Sequence, residues 1–90
     1  MVTIIGQHEV ANFAEWKKAF DADEQFRSNA GLKTVGVYTS LKNPNDVTFI
    51  FEAPGSEGIE AMMKDPAFGE KMKNAGVLCV PDVKVLISKN

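Results

Sequence analysis

Short segments follow one another in the order β-α-β-β-α-β, and the strands carry apolar residues on both faces. That combination constrains the chain more than any other feature. Two helical segments cover only one face of a four-stranded sheet, so the second face requires a partner. The expected architecture is an α+β domain with an antiparallel sheet, both helices on one side, and the open face closed against another copy.

The segments themselves are well punctuated. Val2 to Val10 reads as the first strand. Asn12 then stands as an N-cap with Glu15 three residues on, the spacing of a capping box. The helix that follows puts Phe13, Trp16, Ala19 and Phe20 on one stripe, with Phe26 continuing it and Gly31 as the stop. Leu32 to Lys42 and Asp46 to Ala53 have the β-branched and aromatic content of strands. Asn43-Pro44-Asn45-Asp46 between them has turn chemistry, with Pro supplying a fixed φ. A hairpin in which Asn43 faces Asp46 pairs Tyr38 with Phe51 and Val37 with Glu52. Ser56 is expected to cap a short helix bearing Ile59, Met62 and Met63. Asp65-Pro66 caps a second piece with Phe68, Met72 and Ala75 on its stripe, and Gly76 lies past its end. Val83 to Ser88 forms the last strand.

Period-two alternation sorts the faces. Val2, Ile4, Gly6, His8 and Val10 share one side of the first strand. Val47, Phe49, Phe51 and Ala53 share one side of the third, and Val83, Val85 and Ile87 one side of the fourth. With the register above, Tyr38 joins this helix-covered set. The other side carries Ile5, Val35, Val37, Leu41, Ile50 and Leu86 among Thr3, Gln7, Glu9, Thr39, Thr48 and Glu52. Six aliphatics left in water would form a patch of the kind that marks an interaction site. A homodimer closed sheet to sheet accounts for the mixture.

Residues 1–90 are expected to form a single domain, which at this length buries only roughly 60–65% of its unfolded surface and gains from association. Ten Lys and Arg against twelve Asp and Glu are scattered without a basic stripe, which argues against nucleic-acid binding. The first residues have neither a basic n-region nor a long apolar run, so no signal peptide or membrane span is expected. Cys79 is the only cysteine and His8 the only histidine, so no internal disulfide and no bound metal are expected. The expected compartment is the cytoplasm.

Three tracts resemble a known family. His8-Glu9-Val10-Ala11-Asn12-Phe13-Ala14-Glu15-Trp16-Lys17-Lys18-Ala19-Phe20 resembles the opening of small bacterial proteins of the dimeric α+β barrel superfamily. Asn43-Pro44-Asn45-Asp46-Val47, followed by Phe51-Glu52, resembles their central hairpin, and Met72-Lys73-Asn74-Ala75-Gly76-Val77 with Pro81 their end. That superfamily includes the antibiotic biosynthesis monooxygenase-like proteins. The resemblance implies a ferredoxin-like βαββαβ protomer, paired into a dimeric barrel, with a ligand pocket between sheet and helices. It also implies chemistry without metal, flavin or other cofactor. These motifs specify a shell rather than a reaction.

Few side chains here are equipped for chemistry. His8, late in its strand on the helix-covered face, is the candidate catalytic residue. A neutral imidazole beside Trp16 can bind a polar group or move a proton, and it can equally be a strand-end histidine bonded to backbone or water. Trp16, Tyr38, Phe51 and Met62 are the candidate ligand-binding residues, each of them also suited to ordinary packing. Gly6 leaves room beside them for Phe20 or a guest. Arg27 reads as a solvated charge and Cys79 as a small apolar filler. Glu9 and Glu52 fall at opposite ends of their strands and make no catalytic carboxylate pair. Two functions follow. One is a homodimeric barrel that binds a small apolar or aromatic molecule and acts on it as a cofactor-independent monooxygenase or isomerase. The other is a non-catalytic binding or stress-related accessory protein on the same scaffold.

Overall fold

The computed structural model describes residues 1–89. Its elements are β1 (Val2–Glu9), α1 (Phe13–Ala22), α2 (Glu24–Asn29), β2 (Lys33–Thr39), β3 (Asp46–Ala53), α3 (Glu57–Lys64), α4 (Pro66–Asn74) and β4 (Asp82–Leu86). The four strands form one antiparallel sheet in the order β2-β3-β1-β4. This is the ferredoxin-like α+β arrangement expected from the sequence, with each helical crossover delivered as two pieces.

Local chemistry explains the helix boundaries. Asn12 Oδ1 accepts the Glu15 N–H at 3.0 Å, while the Glu15 carboxylate turns to Lys18, 3.6 Å away, rather than back to the cap. Asn45, from the β2–β3 connection, adds a second clamp: its Oδ1 accepts the Phe13 N–H at 3.0 Å and its carbonyl accepts the Val10 N–H at 2.9 Å. The helix expected to run to Gly31 breaks at Asp23. The restart places Asp23 at the N-cap and Glu24 in the first turn of α2, where the helix dipole favours acids. Ser56 precedes α3 without using its side chain as a cap, but Asp65 caps α4 by accepting the Ala67 N–H at 2.9 Å, with Pro66 first in the helix. Gly31 and Gly76 end the two crossovers at φ 82° and 87°, a region open to glycine at little cost.

The β2–β3 register differs from the expected one, and the turn shows why. Asn43 does face Asp46, whose N–H reaches the Asn43 carbonyl at 3.1 Å. Before the strands begin, however, a second turn folds back on Ser40. Its carbonyl accepts the Asn43 N–H at 3.3 Å, its hydroxyl accepts the Lys42 N–H at 3.2 Å, and its own N–H donates to the Asp46 carbonyl at 2.9 Å. Ser40 therefore lies against Asp46. Thr39 pairs with Val47, Tyr38 with Thr48 and Val37 with Phe49, followed by a bulge between Thr34 and Gly36. The shift is an odd number of residues, so faces exchange along this strand. Val37 packs into the core, and Tyr38 lies on the open face at 53% exposure. Leu41, expected on that face, sits fully exposed in the connection.

The core lies between the sheet and the helices. Ile4, Phe49, Phe51 and Ala53 of the sheet pack with Leu32, Ile59 and Met62, while Val10 and Val47 pack with Trp16. On the other face Ile5 lies opposite Ile50, with Tyr38 beside Thr48 and Leu86 beside Thr3, all at least partly open to solvent. Glu9 and Glu52 do lie at opposite ends, against Asp46 and Thr3 respectively.

Candidate functional site

His8 and Arg27 are the buried polar side chains among the described residues, at 3% and 6% exposure, and both border the same cavity. His8 comes from β1, which is flanked by β3 and β4, so its ring points from the middle of the sheet toward the helices. It meets Trp16 edge-on with ring centroids 5.4 Å apart and leans on Phe49, also at 5.4 Å. Its Nδ1 is buried without a hydrogen-bond partner. Burial, the larger effect, lowers the imidazole pKa from its ordinary value, partly offset by the ring's approach to the His8 backbone, so the ring is neutral at pH 7 and presents one nitrogen as an acceptor.

Five aromatic rings close a circuit here. From His8 the contacts run to Trp16, then to Phe20 stacked at 4.8 Å, to Phe51 at 6.2 Å, to Phe49 at 5.0 Å, and back to His8. The helices α3 and α4 complete the wall with Ile59, Met62, Met63, Phe68 and Met72. The space, partly open to solvent, is about 70 Å³. That is roughly half of the ~150 Å³ dry cavity that admits benzene. A ring-sized guest therefore requires the methionines to swing aside, which their three rotatable bonds permit.

Arg27 comes from α2. Its Nη1 donates to the Phe20 carbonyl at 2.6 Å, and its guanidinium lies over the Phe20 ring, 3.6 Å from the centroid. At the break that carbonyl also accepts the Asp23 N–H, at 3.2 Å, so the arginine shares it with the end of α1. Nε, buried, has no partner. Burial lowers the guanidinium pKa, and Asp23, Glu24 and Asp21 pull it back; arginine remains charged throughout the physiological range. Between α2 and α4, Lys71 Nζ sits 3.5 Å from Asp23 and 4.1 Å above the Phe26 ring, while Phe26 stacks on Phe68 at 6.1 Å. These side chains line the same cavity from the helix side.

Of the candidate residues read from the sequence, His8, Trp16, Phe51 and Met62 come together around this space and Tyr38 does not. The displaced register puts Tyr38 on the opposite face, where its ring folds over Gly36. Gly6 leaves room, but Phe49 fills it: a β-carbon at Gly6 would overlap that ring. Cys79 is exposed rather than a filler. Arg27 is the residue the sequence reading missed. A signal was present, since Arg27 follows Phe20 and Phe13 at successive seven-residue steps and so continues the aromatic stripe. Among the described residues, no group of three or more His, Cys, Asp or Glu side chains is placed to hold a metal ion, and no helix is long and apolar enough to cross a membrane.

No family model matches the chain, and no curated protein does. Solved structures do. One described as an antibiotic biosynthesis monooxygenase is 14% identical, with all of both chains covered and a TM-score of 0.71. SnoaB, described as a cofactor-independent oxygenase from Streptomyces nogalater, is 14% identical over 99% of this chain and 93% of its own, at a TM-score of 0.73. An uncharacterised NIPSNAP domain protein from Burkholderia xenovorans is 14% identical over 98% and 94%, at 0.68. At such identities the likeness is one of fold. The chain has the ferredoxin-like fold of the antibiotic biosynthesis monooxygenase-like proteins, as the sequence resemblance implied.

Proposed function

We propose that this chain binds a small, largely apolar molecule in the cavity beneath its helices, and that His8 acts there as a proton acceptor. The observation that carries the proposal is the pair of buried polar side chains on one cavity, each with a nitrogen left unpartnered. An unsatisfied buried polar atom costs on the order of 1–3 kcal/mol, a cost a guest hydrogen bond would relieve. A cofactor-independent oxygenation and an isomerisation share a first step, removal of a proton from an acidic C–H or O–H. A neutral imidazole in an aromatic wall suits that step. The likeness in fold to a protein described as a cofactor-independent oxygenase supports the first of the two.

A library of small aromatic and acyl compounds, followed by the fluorescence of Trp16, tests this reading. Ligands of the wild type should weaken by about 5- to 150-fold in His8→Ala if a buried hydrogen bond is lost. Oxygen uptake or isomerisation of those ligands should fall with it. Equal responses in both proteins would remove His8 from the site. No response from any compound would favour the second reading, a non-catalytic accessory protein whose rings and methionines fill their own cavity. The small size of that cavity is the observation in its favour.

The same proposal includes a homodimer closed through the open sheet face, where Ile5, Tyr38, Ile50 and Leu86 stand among polar neighbours. Val37, which belongs to the core, is not part of it. Light scattering should return twice the 9.8 kDa of the chain, and Ile50→Asp should split or unfold the assembly by burying an unpaired charge. A monomer at micromolar concentration in the unmodified protein would contradict the pairing. An exposed thiol at Cys79 is in keeping with a reducing, cytoplasmic setting.

A further inference from the structure

Three charged side chains line the cavity: Asp23, Arg27 and Lys71. Two of them answer each other, Lys71 standing 3.5 Å from Asp23. Arg27 is left over. Among the described residues it makes no ion pair, it spends one N–H on the Phe20 carbonyl, and its flat face rests on the Phe20 ring. A guanidinium carries five N–H donors in a planar fork that matches a carboxylate edge to edge. Here the residue as a whole is 6% exposed, with its buried Nε unsatisfied. Asp23, Glu24 and Asp21 act on this charge from a distance, but none of them forms an ion pair with it, and a direct carboxylate partner would offset more of the cost of its burial.

Resting on the reading of this cavity as a binding site, we infer that Arg27 is a ligand-binding residue that receives an acidic group, and that the guest is an aromatic or acyl compound bearing one carboxylate. The apolar body of such a molecule meets the rings of Trp16, Phe20 and Phe51 and the pliable methionines. Its carboxylate meets the helix-side arginine, and the strand-side imidazole of His8 remains free for a second polar group or a proton. Stacking on Phe20 and the bond to its carbonyl hold the fork in one orientation before the guest enters, which lowers the ordering cost of recognition.

Phenylacetate and 2-phenylethanol share a ring and a two-carbon arm, and differ in carrying a carboxylate or a neutral hydroxymethyl group. Titrating each into the protein, with Trp16 fluorescence as the readout, should show phenylacetate binding about tenfold or more tighter, the range of a charge-assisted hydrogen bond. Arg27→Gln keeps an N–H donor for the Phe20 carbonyl and should erase the preference, bringing the two affinities to within about twofold of each other. Circular dichroism establishes that the variant is folded. Should it not fold, the wild type still decides: the Arg27 Nε–H resonance should move with phenylacetate and stay still with 2-phenylethanol. Equal affinity for the two compounds, a preference that survives Arg27→Gln, or an unmoved Nε–H would overturn the inference and leave the pocket standing. Failure of both compounds to perturb Trp16 at tens of millimolar would remove the pocket itself.

Discussion

Phe20→Leu is the substitution that most directly probes how the cavity wall is held. Leucine keeps much of the apolar bulk, so the transfer loss stays below about 1.5 kcal/mol. What disappears is specific to the ring. Phe20 stacks on Trp16 at 4.8 Å and lies parallel to Phe51 at 6.2 Å with only 5° between planes. Such pairs contribute about 0.5–1.5 kcal/mol each beyond area. The buried guanidinium of Arg27 rests 3.6 Å from its centroid, an arrangement worth about 1–2 kcal/mol when desolvated. Together these predict a loss of about 2–5 kcal/mol, a large share of the ~5–15 kcal/mol of a typical domain. In urea, with m near 1–1.5 kcal/mol/M, the midpoint should fall by at least about 1.3 M at fixed protein concentration. Trp16, the only tryptophan, reports the transition and should also lose near-ultraviolet dichroism in the folded state. A double-mutant cycle with Arg27→Met isolates the cation–ring contact as a coupling of about 0.5–2 kcal/mol. A loss under about 1 kcal/mol with additive single changes would refute the ring-specific account.

Two glycines should respond in opposite directions to alanine. Gly6→Ala drives a β-carbon into Phe49 and should cost about 1–3 kcal/mol, whereas Gly69→Ala, in α4 with open space around it, should stabilise by up to about 1 kcal/mol; thermal midpoints that move the same way would contradict both packing statements. The pH dependence of stability should carry a His8 contribution of definite sign. Its folded pKa is lowered, so the unfolded chain takes up the proton first, and stability present above about 6.5 is lost as pH falls from there toward the folded value. His8→Gln should remove that part of the slope in denaturation curves between about pH 5 and 8, and an unchanged slope would mean that the ring is not buried as described.

Much of this molecule was legible in its residues. The succession of strands and helices along the chain, the Asn12 and Asp65 caps, the glycine stops and the meeting of His8 with Trp16 all rest on local chemistry or on simple periodicity. The open sheet face followed from counting aliphatics against the number of helices available to cover them. What failed depended on single hydrogen bonds. The Ser40 hydroxyl and carbonyl build a second turn ahead of Asn43, and that short feature moved Tyr38 out of the cavity and Val37 into the core. No alternation of apolar residues reveals it, because both faces of β2 offer something apolar to bury. Arg27 was misread for a different reason. Charge alone suggests solvent, and its burial rests on a shared bond to the Phe20 carbonyl at the end of α1 and on the face of the Phe20 ring.

The central claim is that a guest enters the space between sheet and helices, and methyl resonances test it most directly. Met62, Met63 and Met72 line the cavity from the helix side, while Met1 is 82% exposed and outside it. With the methionine methyls and the Trp16 indole labelled, phenylacetate should shift Met62, Met72 and Trp16 together in one saturable curve and leave Met1 unmoved. Shifts confined to residues of the open sheet face, or equal at Met1 and Met62, would contradict a binding site beneath the helices.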